Sequence, residues 1–193
     1  MEYTESYYCL CHGTDEQSAN NIISKGFLLQ GNMTSWCGRG VYFYDIKAKA
    51  WWAANRKCNE IRKKEHRDVE PTVIFADIEN LSKEYIFDLR VKKDLELFEE
   101  FVNKLLNTPG QIDIPDISDD VERKIVLRAM LISFYADSIQ SKLVIGNFRQ
   151  RPQPLYEHAI MFADSLDMIF GIETIYCVKD VSIINNIQYS KRR

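Results

Sequence analysis

The chain has 193 residues, 46% of them hydrophobic and 27% charged, which suits one globular domain and excludes a disordered or low-complexity chain. A net charge of −3 carries no overall cation excess, and no run approaches the roughly eighteen apolar residues of a membrane helix. The five cysteines are odd in number and scattered, which argues against a disulfide framework. The first residues lack the basic stretch and apolar core of a secretory signal, so a reducing, cytoplasmic compartment is expected. Cys9 and Cys11 find no second Cys or His pair to complete a zinc site, so no metal is expected.

In chain order, Tyr7–Cys11 is a short apolar run that stops at His12-Gly13-Thr14, as a buried strand opening into a loop does. Ala19, Ile22 and Ile23 then follow helical spacing over Glu16–Lys25, with Thr14 or Asp15 as N-cap and Gly26 at the C-cap. Gly31–Gly40 reads as loop and Val41–Tyr44 as strand. Lys47–Lys63 predicts a helix with Ala50, Trp51 and Ala54 on one side, and Trp51 and Trp52 read as core packing. Arg56–Arg67 holds six Lys/Arg against two Glu, as either a solvated helix face or a local phosphate-attracting patch. Thr72–Ile78 reads as strand.

The middle changes character. Lys93–Leu106 and Val121–Ser138 carry helical periodicity across a Pro/Asp-rich connector, Thr108 to Asp120. Val121, Ile125, Leu127, Ala129, Leu131 and Phe134 suggest that the second helix is largely buried. Strand character returns at Lys142–Ile145, Glu157–Phe162 and Glu173–Val178. Strands at both ends predict one α+β domain over residues 1–193, with a helical insertion at about 93–140.

Three segments stand out together. Tyr8-Cys9-Leu10-Cys11-His12-Gly13-Thr14 leads to a helix closing on Gly26-Phe27. Trp36-Cys37-Gly38-Arg39-Gly40-Val41-Tyr42-Phe43-Tyr44 leads to an Ala-rich helix. The third is the late strand from Ile172 to Asp180. In this order they resemble the ADP-ribosyltransferases of the diphtheria-toxin/PARP class. The resemblance is specific over residues 8–54, looser over 172–184 and absent over the helical block.

The resemblance implies a split β-sheet fold and NAD as co-substrate. It implies that Gly13 pairs with the nicotinamide amide, that Thr14 adds a hydroxyl, and that His12 bonds the adenosine ribose. It further implies that Tyr42 stacks on nicotinamide and that Gly40 and Tyr44 border the same site. Arg39 either touches a pyrophosphate or stays solvated. Cleaving the nicotinamide–ribose bond builds positive charge on the ribose, so a carboxylate is needed beside the reacting carbon. Glu173 is the candidate, with Glu157 as its rival, and His12, Tyr42 and Glu173 form the expected catalytic set.

The function so implied is mono-ADP-ribosylation of a macromolecular acceptor, RNA, DNA or protein, by a toxin or anti-phage defence effector with an antitoxin as a further partner. The helical block is expected to serve acceptor recognition, and no membrane partner is expected. Two alternatives stand beside it. An RNA 2′-phosphotransferase on a similar fold needs a cluster of Arg and His on its phosphate, for which this chain offers three His and late cations at Arg149, Arg151 and Lys191–Arg193. A catalytically silent module would bind NAD or a partner without releasing nicotinamide.

Overall fold

In the computed structural model, which describes residues 3–29, 35–108, 116–149 and 172–190, β1 (Thr4–Asp15) does not end at His12. It pairs with β3 (Pro71–Ser82) to its last residue, with His12 opposite Ile74, Gly13 opposite Val73 and Thr14 opposite Thr72. This corrects the expected loop. A Cβ on Gly13 would stand 1.9 Å from the carbonyl oxygen of Ala50 in α2 (Lys47–Glu65), so glycine lets the helix backbone lie directly on a strand that continues beneath it.

α1 (Glu16–Lys25) starts at Asp15, whose carboxylate accepts from the Ser18 N–H at 2.9 Å, so Asp15 rather than Thr14 is the cap. It ends at Gly26, whose φ of +81° suits glycine.

Among the described residues, β2 (Val41–Tyr44), β4 (Ile86–Asp88), β5 (Leu143–Arg149), β6 (Ile172–Val178) and β7 (Asn185–Tyr189) join β1 and β3 in a seven-stranded sheet in the order β4–β5–β6–β2–β1–β3–β7. All neighbours are antiparallel except β4 and β5. A parallel pair needs a long crossover, and α3 (Lys92–Asn107) with α4 (Asp120–Ser138) lies within it. The helical block is therefore part of how the sheet is connected. The architecture is α+β. The sheet is continuous in hydrogen bonding, but β1 and β2 share one register pair, Cys11 with Tyr44, and part beyond it.

One face of the sheet buries Leu10, Phe43, Ile74, Ile145 and Val178 under Ala19 of α1 and Phe27. On the other face, Ala50 of α2 covers Cys11 and Val73, while Ile132, Tyr135 and Ala136 of α4 cover Phe87, Val144, Ile175 and Cys177. The buried stripe of α4 is Val126, Ala129, Ile132, Tyr135 and Ala136. Val121 and Phe134, expected in the core, are 56% and 40% exposed. The buried five keep to one helical stripe, whereas the expected set spreads around the helix. The expected strand at Glu157–Phe162 lies outside the described residues.

Candidate functional site

Where β1 and β2 part, a cleft of 480 Å³ opens, lined by His12, Gly13 and Thr14 from one strand and Gly40, Val41 and Tyr42 from the other. α1 contributes Ser18 and Lys25 to its wall, and α2 contributes Lys57. Two motifs separated by about twenty-five residues in the sequence thus meet at one opening, within the volume range of small-molecule sites.

His12 bridges the parted strands. Its Nδ1 lies 2.8 Å from the Tyr42 carbonyl, which can only accept, so Nδ1 carries the proton and Nε2 is left as an acceptor. Phe27 and Phe43 pack around the ring at centroid distances of 5.2 and 5.7 Å. Burial pushes the imidazole pKa down to about 4 against the opposing effect of the Tyr42 hydrogen bond. His12 is neutral at pH 7.

Lys57 ties α2 to the end of β1. Its ammonium donates to Thr14 Oγ1 at 2.7 Å and Ser18 Oγ at 3.2 Å, and lies 3.1 Å from Asp15 Oδ2. Burial alone would raise the Asp15 pKa, but hydrogen bonds from Ser18 and Lys57 and the Lys57 charge hold it at about 2. Sequence reasoning held Lys57 only as one cation of the Arg56–Arg67 stretch, without its contacts, and missed Lys25 and Ser18. Nothing in a helical stretch marks a lysine whose neighbours come from another strand.

Tyr42 belongs to both sides of the sheet. Its carbonyl meets His12, while its ring packs with Cys37, Ile175 and Cys177 beneath α4. Its hydroxyl accepts from the Cys37 N–H at 3.0 Å and donates to the Gly38 carbonyl. Burial pushes the phenol pKa up, keeping it protonated. A Cβ on Gly40 would stand 2.4 Å from Cys177 Sγ, so this glycine is required by the close approach of β6.

The stretch from Trp36 to Gly40 is braced from outside the motif. Ser133 Oγ of α4 donates to the Cys37 carbonyl at 3.2 Å, and Lys179 Nζ donates to the Arg39 carbonyl at 2.8 Å. The Arg128 guanidinium lies 4.1 Å over the Trp36 ring and donates to its carbonyl at 3.3 Å. The Arg39 side chain is exposed.

Glu173 and Tyr44 do not line the cleft. Glu173 lies four residues along β6 from Cys177, the register partner of Tyr42, a span of about 13 Å along the strand. There it pairs with Lys49 of α2, and its second oxygen, Oε2, is buried without a hydrogen-bond partner. Tyr44 stands between these regions, opposite Ile175, with its phenol pKa raised by burial and by the Glu173 charge. Glu157 and Arg151 lie outside the described residues, as do Lys191, Arg192 and Arg193. Trp51 is half-buried, whereas Trp52, expected in the core, is 46% exposed because it faces away from the buried Ala50 and Ala54.

Comparison of the chain with protein-family models, curated proteins and solved structures gives no match. Among the described residues, no group of three or more His, Cys, Asp or Glu could hold a metal ion, and no helix is long and apolar enough to cross a membrane.

Proposed function

We propose that this chain is an NAD-dependent mono-ADP-ribosyltransferase, which binds NAD at the cleft between β1 and β2 and passes ADP-ribose to a macromolecular acceptor, releasing nicotinamide. The observation that carries the reading is the meeting of His12-Gly13-Thr14 with Gly40-Val41-Tyr42 at the junction where β1 and β2 share a single register pair.

Each group has a task suited to its surroundings. Neutral His12 offers Nε2 to a ribose hydroxyl. Lys25 and Lys57 supply positive charge for a diphosphate, and the Tyr42 carbonyl fixes the orientation of the His12 ring. Glu173 supplies the carboxylate that offsets the positive charge developing on the ribose, with Lys49 orienting it. Because the reacting ribose carbon is bonded directly to nicotinamide, this reading places the nicotinamide end of NAD toward Glu173 and the adenosine and diphosphate end in the cleft with His12, in place of the expected nicotinamide stack on Tyr42. Among the described residues the cleft presents one imidazole and no arginine, which favours this reading over a 2′-phosphotransferase gripping an internal phosphate. Assignment to toxins or anti-phage effectors, working in the cytoplasm with an antitoxin, rests on analogy of architecture and is tested by growth arrest on induced expression.

The deciding experiment is nicotinamide release from NAD by the purified chain. Glu173→Gln should lower it by a factor of about 10²–10³ with NAD affinity little changed, because the charge matters most in the transition state. Release that survives Glu173→Gln and fails with Glu157→Gln moves the carboxylate role to Glu157. A wild-type chain that binds NAD and releases no nicotinamide is a silent module.

A further inference from the structure

We infer that the outer stripe of α2 centred on Trp52 docks a single-stranded nucleic acid, which is the acceptor of the transfer. The inference rests on the proposed role of Glu173.

Trp52, Asn55, Arg56, Asn59, Glu60 and Lys63 fall on one helical stripe and line a shallow surface groove of 370 Å³. This stripe lies opposite the side on which Ala50, Ala54 and Cys58 are buried. The indole sits at the end nearest the carboxylate. One ammonium joins the two, since Lys49 Nζ lies 4.6 Å over the Trp52 ring and pairs with Glu173. A base stacked on Trp52, whose ring Arg56 also approaches at 5.7 Å, lies in the neighbourhood of the Lys49–Glu173 pair.

Charge and chemistry select the occupant. α2 carries seven Lys/Arg against two Glu, whereas α3, where acceptor recognition was expected from the sequence, carries three Lys against four carboxylates. A polyanion is drawn to α2 and not to α3. The stripe itself holds Arg56 and Lys63 against one carboxylate, Glu60, whose pair with Arg56 at 3.1 Å is solvent-exposed and open to exchange for a phosphate. An acidic peptide would use the cations and leave the indole idle. A nucleobase uses both, stacking on the aromatic face while its phosphates meet Arg56 and Lys63 and its edges meet the two Asn amides. Stacking needs an unpaired base, so the strand is single.

The test is fluorescence anisotropy without NAD, using a fluorescein-labelled single-stranded oligonucleotide of about a dozen residues. The same sequence as a duplex and an oligoglutamate peptide serve as comparison ligands. The single strand should bind best. Trp52→Ala should weaken it about tenfold or more, while Trp52→Phe, which keeps an aromatic face, should retain most of the affinity. Arg56→Gln with Lys63→Gln should flatten the slope of log affinity against log salt by about 1, and Lys92→Gln on α3 should leave it unchanged. Equal affinity for the duplex or the peptide overturns the inference, as does an unchanged affinity in Trp52→Ala. Because NAD is absent, these outcomes are independent of nicotinamide release, which alone decides whether the chain cleaves NAD.

Discussion

Asp15→Asn tests how the end of β1 is held. The substitution keeps the shape and an oxygen that can cap α1, but removes the charge that Lys57 and Ser18 stabilise. In the folded chain the Asp15 pKa is about 2 against an ordinary value of 3.8. At about 1.36 kcal/mol per unit this is worth about 2 kcal/mol. The folded value is the depressed one, so the unfolded chain binds more protons below pH 4. The stabilisation is complete above the unfolded pKa and disappears as pH falls through about 2. Urea unfolding should therefore show the variant less stable by about 2 kcal/mol at pH 7, equivalent to about 5 °C in Tm, with about half the deficit remaining at pH 3. His12 acts in a different window. Its folded pKa of about 4 lies below the ordinary 6.5, so acidification from 6.5 to 4 destabilises wild type and variant alike. A deficit of the same size at pH 7 and pH 3 would refute the charge argument and leave only packing.

Gly13→Ala should cost about 1–3 kcal/mol or more in urea unfolding, because the new methyl meets the Ala50 carbonyl; a neutral outcome would mean that α2 does not lie on β1. Arg128→Ala should lower stability by about 1 kcal/mol and speed tryptic cleavage after Arg39, and unchanged cleavage would count against α4 as a brace. Proton NMR should find the His12 imidazole titrating near 4, and its protonation should add no inflection to nicotinamide release between about pH 5.5 and 8. Titration near 6.5 would show the ring to be solvated.

Much of the local structure was legible in the residues. Asp15 and Gly26 bracket α1 because a side-chain acceptor and a residue free to take positive φ leave their mark in sequence. Val41–Tyr44 is a strand from composition alone. The short β4 and the polar edge strand β7 left no such mark, since neither carries an apolar run bounded by turns. Five of the expected site residues, His12, Gly13, Thr14, Gly40 and Tyr42, come together at the cleft, while Tyr44 and Glu173 stand apart from it.

The sequence by itself determined the α+β class, the positions of α1 and β2, and the grouping of two motifs, because caps, periodicity and short patterns act over a few neighbouring residues. Tertiary structure decided the rest. It continued β1 beneath α2, fixed which stripe of α4 is buried, turned Trp52 outward, and made the helical block the crossover between parallel strands. It also delivered Lys57 to Thr14 across 43 positions of chain. None of these can be written in local pattern. Each depends on which backbone happens to lie opposite, and that is set only when the whole sheet has closed on its helices.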